Sequence, residues 1–482
     1  MDYSTHRPET LHVAIGSLEL DRHRIGATTT IGPTTAHLSV WYPSIDLLYV
    51  RKKVGETAFL RVVAHVVLFE INKLVSLSMV SVDAGPLAPY IATTTQALWS
   101  SLFENVWAQW RFENNRPNMS APVFLDDNQS LLSQPSTTPL DNQRHLAFFS
   151  GGKDSYLGLK LLQRAGIDFD VLAYTASCYG TRVSQMNIER IARKSFPTAA
   201  FHVFSVFDEA LDAPIIEAFP QEMDSAGMLA GETPSSIFEA LPIALARGYS
   251  RLVVSNEASA NEPNFYWPAE ERWVNHQWGK SSQARAVLSD YLKSNLFSNM
   301  HYYSPIEALS DPAIYILLAR ENWDEVQELS SCNIEKPWCR RCAKCVYVWL
   351  NYLAYFDENK VTRLFRGENL FEVEENIPLL KALAAKTERK PFECVGRYAD
   401  TRIALALCKV KGVGTEVIDS ILADVSIDQI KSELAASLVI DSTAVAFSQA
   451  PLSLQNLLLT EIQDFLDATS KTMLSLLDDT TK

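Results

Sequence analysis

Through the middle of the chain, apolar residues fall in short runs separated by turn chemistry, and the spacing inside each run sets the element. His145 to Phe149 is a short apolar run, Ser150-Gly151-Gly152-Lys153-Asp154-Ser155 a turn, and Tyr156 to Ala165 carries apolar residues at helical spacing up to Gly166. The same rhythm continues with a strand at 169–176, a helix at 186–195, a strand at 199–207, a helix at 236–247 ended by Gly248, and a strand at 252–255. Strands alternating with helices predict an α/β fold with a parallel sheet. In such sheets ligands sit beyond the carboxyl ends of the strands, where the strand order reverses. The loop 150–155 is therefore the first place to look for a site.

The flanks read differently. Residues 1–113 start with alternating runs such as Leu38 to Tyr42 and pass into helical patterns near 56–80 and 92–111, predicting a mixed amino-terminal domain. Residues 114–144 are rich in Asn, Ser, Thr, Pro and Gln, which is linker composition. A third unit spans 145–365, and 366–482 reads as a mainly helical carboxyl-terminal region. The apolar stretch Ala58 to Val80 contains Arg61, His65, Glu70 and Lys73, so it predicts an amphipathic helix and no membrane span.

Composition adds limits. At 482 residues, with 47% hydrophobic and 21% charged residues, the chain belongs with folded globular proteins of several domains. The net charge of −14 argues against a general nucleic-acid binder, although Lys153, Lys280, Arg285 and the stretch Arg340 to Lys344 can make a local positive site. The first residues, MDYSTHRPET, show no secretory signal, so a cytoplasmic location is expected.

Two motifs carry chemistry. In Ser150 to Ser155 a glycine-rich turn leads into a helix, where backbone N–H groups and the positive helix end can cradle phosphates. It is not a Walker A loop, because Asp154 follows Lys153 where that motif requires Ser or Thr. Cys332, Cys339, Cys342 and Cys345, spaced C-x6-C-x2-C-x2-C, suit a tetrahedral structural Zn²⁺ site. Cys178 and Cys408 receive no role.

The segment SGGKDS resembles the PP-loop of the ATP pyrophosphatase superfamily. That resemblance implies a PP-loop core in which Ser150 to Ser155 bind ATP phosphates, with Tyr174, Ser255 and Asn256 at strand ends flanking the adenosine. Three further segments, Ser255 to Ser259, Val274 to Trp278 and Lys390 to Gly396, resemble signatures of the UDP-N-acetylmuramoyl-L-alanyl-L-glutamate epimerase family. With the loop and the cysteines they cover about residues 146 to 400; the amino-terminal part and the tail after Ala404 resemble the family less. The phosphate loop departs by carrying Ser150 in place of a third glycine.

The resemblance implies ATP-dependent conversion of a terminal L-Glu to D-Glu on a nucleotide-linked muramoyl dipeptide, through a glutamyl adenylate and with Mg²⁺, for peptidoglycan precursors. An α-proton beside an ionised carboxylate resists removal, whereas an acyl adenylate delocalises the new anion. For the proton transfer His276 is the first candidate and Cys394 the second, although a lone histidine is more often a structural residue and a buried inert thiol is at least as common. Lys153 and Asp154 would act at the nucleotide, and Glu257, Asn275, Lys280 and Arg397, with Arg402, would contact substrate. The alternative is a PP-loop enzyme of the 7-cyano-7-deazaguanine synthase type, which carries a similar cysteine quartet and adenylates another carboxylate.

Overall fold

Alternation of buried and exposed residues along Thr34–Trp41 and Phe201–Asp208 is the pattern of strands that pack one face on a core, and these two strands join the halves of the molecule. The computed structural model describes residues 11–32, 34–76, 80–125, 135–136, 138, 140–176, 182–209, 230–332, 334–384 and 389–478. Cys178 lies outside the described residues.

Strands β1 (Leu11–Leu20), β2 (Arg24–Ile31) and β3 (Thr34–Trp41) form an antiparallel meander, to which β4 (Val80–Asp83) and β5 (Val123–Phe124) add in parallel beyond β1. The α/β part supplies β6 (His145–Phe148), β7 (Phe169–Ala176), β8 (Phe201–Asp208) and β9 (Arg251–Val253). A separate hairpin, β10 (Phe265–Trp267) and β11 (Arg272–Val274), follows, and β12 (His301–Tyr303) returns to the large sheet. All ten strands outside the hairpin lie in one sheet in the order β12-β9-β6-β7-β8-β3-β2-β1-β4-β5. From β12 to β8 every pairing is parallel. The seam is the antiparallel pairing of β3 with β8, from Leu38 opposite Asp208 to Trp41 opposite Ser205.

This is the expected α/β class with a helical carboxyl-terminal region. The amino-terminal strands extend the same sheet. Within the parallel part, the strands that come first and fourth in sequence, β6 and β9, are neighbours, so the strand order reverses between them. The crevice beyond their carboxyl ends is where α/β sheets bind ligands.

Two cores lie on opposite sides of the sheet. One unites Val13, Ile25 and Val40 of the meander with Leu146, Leu172 and the helices Glu56–Val75, Glu232–Arg247 and Ser282–Asn295. The other unites Tyr156, Leu157 and Val171 with the helices Asp311–Leu318, Ala343–Tyr355 and Tyr398–Val410 and the tail helices up to Asp478.

The helix Glu56–Val75 corrects one sequence expectation. Instead of presenting a polar face, it is buried from Arg61 to Leu74, polar residues included. Three of them find tertiary partners: Arg61 donates to Asn295 O, His65 bonds to Tyr291 Oη as well as to Arg61 O, and Lys73 pairs with Glu232 at 2.8 Å as well as with Glu70 at 2.6 Å on its own helix. Burial brings His65 down to about 4 and leaves it neutral at physiological pH. No helix among the described residues is long and apolar enough to cross a membrane.

Candidate functional site

The loop after β6 sits at the reversal of strand order. Gly151 has φ +74, a conformation that favours glycine, and the helix Lys153–Arg164 starts directly behind it. Ser155 Oγ donates to Gly152 O at 3.1 Å, and Ser150 N donates to Ser155 Oγ at 3.3 Å, which closes the turn around its own backbone. Ser330 N donates to Gly151 O at 3.0 Å from outside, so the chain entering the cysteine cluster braces this loop. Behind it, Gly158 lets the helix lie against the end of β9: a Cβ there would stand 2.2 Å from Ser255 Oγ and 3.1 Å from Pro305.

Lys153 does not project freely into solvent. Its ammonium is buried between Asp154 (2.5 Å) and Asp311 (3.0 Å) and lies over the Tyr315 ring. Although burial opposes it, these carboxylates raise Lys153 well above its ordinary value. Asp311 is itself buried, and against the cost of burial Lys153 and a hydrogen bond from Ser259 Oγ at 2.7 Å hold it low. The sequence reading missed Asp311. The local signal was Ser310-Asp311-Pro312, a helix start with Ser310 Oγ accepting from Ala313 N, which points to capping and hides the charge partner.

Glu257 is buried beside this group, and burial together with Asp154 pushes it up to about 7. Lys280 faces it from the short helix Trp278–Lys280 and donates to Cys394 Sγ at 3.3 Å. Burial would raise the Cys394 thiol, but Lys280, Lys344 and a hydrogen bond with His276 bring it well below the usual thiol range. Cys394 in turn raises Lys280 above its ordinary value. His276 Nδ1 faces Gln109 Oε1 at 2.5 Å; because that oxygen only accepts, Nδ1 carries the proton in this pair. The two residues singled out for proton transfer thus touch each other, and Lys280 completes the cluster.

The other expected residues divide. Asn275 organises the loop, donating to Ala260 O at 2.8 Å and accepting from Gln277 N at 2.8 Å. Asn264 Oδ1 accepts from His276 N, while its Nδ2 donates to the carbonyls of Lys390 and Pro391, tying the two segments together. Asn256 exchanges backbone bonds with Ser304 Oγ at the end of β9. Tyr174 stacks on Phe204 at 5.3 Å. Arg397 caps its helix with Asp400, donates to Ser437 Oγ, and keeps a partly exposed edge. Arg402 is taken up by Glu433, and Arg285 by buried Glu307, so neither is free to serve a ligand.

Cys332, Cys339, Cys342 and Cys345 bring their sulfurs within 4.8 Å of one another, with Cys339 and Cys345 3.7 Å apart. Four thiolates at about 2.3 Å from a tetrahedral Zn²⁺ stand roughly 3.8 Å apart, so the quartet fits such an ion. Backbone N–H groups of Glu335 and Cys345 already point at Cys332 and Cys342 sulfurs, as supports for thiolate charge.

A mixed α/β sheet thus carries a braced glycine-rich loop at its switch point, with Cys394, His276 and Lys280 clustered nearby. Family models described as the MurL N-terminal domain and the MurL C-terminal domain match residues 79–305 and 326–434. The chain belongs to the MurL family and is an enzyme of the epimerase class. Similar proteins named UDP-N-acetyl-alpha-D-muramoyl-L-alanyl-L-glutamate epimerase come from a Micromonospora species (28% identical over 64% of this chain and 67% of the relative) and Salinispora tropica (28%, over 67% of each). A third, from Xanthomonas oryzae pv. oryzae, is 28% identical over 54% of this chain and 56% of its own. No solved structure matches the chain.

Proposed function

We propose that this enzyme epimerises the terminal L-Glu of UDP-N-acetylmuramoyl-L-alanyl-L-glutamate to D-Glu, consuming ATP through a glutamyl adenylate and releasing AMP and pyrophosphate. The observation that carries the reading is a continuous line of charged side chains. It leads from the glycine-rich loop through Lys153, Asp311, Glu257 and Lys280 to the Cys394 thiolate and His276.

The loop 150–155 is read as a PP-loop: its backbone N–H groups and the start of the following helix face the phosphates, and Lys153 leaves its carboxylates to meet them. Asp154 and Glu257 would hold Mg²⁺, which neutralises phosphate charge. Converting the carboxylate to an acyl phosphate anhydride removes its negative charge and makes the α-proton acidic enough for a thiolate. Cys394 accepts that proton and passes it to His276; because the two touch, they act from one side of Cα as a single acid–base pair, the planar enolate must turn its other face to them before the proton is returned, and Lys280 stabilises the charged cluster. Water then cleaves the anhydride. The cysteine quartet is read as a structural Zn²⁺ site that fixes the loop bracing Gly151.

Incubation with the muramoyl dipeptide, ATP and Mg²⁺ in D₂O tests this. AMP, pyrophosphate, deuterium at Cα and D-glutamate after hydrolysis are the expected products. AMP with a product of altered mass would instead identify a carboxylate-ligating enzyme.

A further inference from the structure

Lys390 is only 2% exposed, yet among the described residues its ammonium has no ion pair and no hydrogen bond. Three cations of the site are paired: Lys153 with Asp154 and Asp311, Lys280 with Cys394, Arg397 with Asp400; Lys344, beside Cys394, has no ion pair among the described residues. Holding an ammonium at the edge of a nearly closed wall without a partner is costly, so a chain that keeps one there gains something else from it. Burial draws Lys390 below its ordinary value, and the acids that act on it, Glu262, Asp400, Asp311 and Glu257, include those of the site itself. Its backbone is clamped by Asn264, the side chain that also holds His276 N, and Cys394 follows four residues later. The unpaired charge therefore belongs to the same wall of the site as both proton-transfer groups.

Resting on the function proposed above, we propose that Lys390 receives the side-chain carboxylate of the terminal glutamyl residue and so determines specificity for glutamate over glutamine. A glutamyl residue carries two carboxylates. The one that reacts must reach the phosphates beyond β6, and the α-carbon must face Cys394 and His276. The second carboxylate then needs a cation on the remaining wall; among the described residues Lys390 and Lys344 are the two nearly buried lysines of this wall without an ion pair, and Lys390 is the one whose backbone is clamped through Asn264 to the loop of His276. A glutamine side chain could accept a hydrogen bond through its amide oxygen but would leave the positive charge uncompensated, which is the basis for rejection.

The test compares wild type with Lys390→Met on muramoyl dipeptides ending in L-Glu and L-Gln, measuring AMP release and deuterium at Cα together with KM for each substrate and for ATP. Expected for Lys390→Met are a KM for the glutamyl substrate at least about 30-fold higher, an unchanged KM for ATP, and a Glu-over-Gln preference reduced to a few-fold. The thermal midpoint should hold or rise, because a buried unpaired charge is removed. Lys390→Gln carries the same expectation should the Met variant fail to fold. An unchanged preference with unchanged peptide KM overturns the proposal, and a raised KM for ATP alone assigns Lys390 to the phosphates instead. If wild type neither releases AMP nor exchanges deuterium on the glutamyl substrate, the functional reading falls first and takes the specificity role with it.

Discussion

At the scale of single residues, the charge on Lys280, 3.3 Å away, draws Cys394 below the usual thiol range ahead of Lys344 and His276. Lys280→Met should therefore move the acid limb of the kcat/KM profile for deuterium exchange to higher pH, toward the ordinary thiol value of about 8.5. Cys394→Ala should lower exchange by roughly 10²- to 10⁴-fold, while ATP binding persists. Both are read by mass spectrometry of the product. Much of this was legible beforehand: His276, Cys394, Lys280 and Glu257 were singled out by residue type and segment, and the fold brings them together. Asp311 and Lys390 were not, because a buried partner and a missing partner are both tertiary facts with no local spacing.

At the scale of elements, the helix Glu56–Val75 shows why periodicity misled. Four polar side chains in an apolar run look like a wet face, but Lys73 serves two carboxylates from inside the core, with Glu239 3.9 Å away as a third. Removing that cation by Lys73→Met leaves buried carboxylates unpaired and should cost about 3–5 kcal/mol in denaturant unfolding. Burial, only partly offset by Lys73, raises Glu70 to about 8 from an ordinary 4.5. A carboxyl raised on folding stabilises the native state while it is protonated. Its contribution is full below about pH 4.5 and lost as pH rises through 8, so Glu70→Gln should flatten that part of a plot of thermal midpoint against pH. The cysteine loop is the second case. Its metal-like spacing was visible in sequence, but its brace on the glycine-rich loop, Ser330 N to Gly151 O, was not. Replacing Cys342 and Cys345 by Ser should remove bound zinc, measured by elemental analysis, and raise KM for ATP.

For the whole molecule, the boundary that composition suggested near residues 114–144 is spanned by one sheet. β3 pairs with β8 across more than 160 residues, a register that no short-range pattern announces. One core holds side chains from the meander and from the α/β helices alike. Calorimetry and far-ultraviolet circular dichroism should therefore report a single cooperative transition, and a chain starting at β6 should not fold alone. The α/β order itself was readable because βαβ units are local, and the expected 169–176 strand coincides with β7. The strands of the β10–β11 hairpin and β12 span three residues each, too short for alternation to show.

Gly158, one turn into the helix behind the glycine-rich loop, has no room for even a methyl group against Ser255 and Pro305. Its meaning is evolutionary as much as steric. In a saturation library at this position, selection for growth on the enzyme's product should return glycine alone, whereas Gly166, with nothing near its missing side chain, pays only the strain of its φ of +67. The chain's freedom to vary is thus narrowest where a helix leans on the strand ends that frame the crevice.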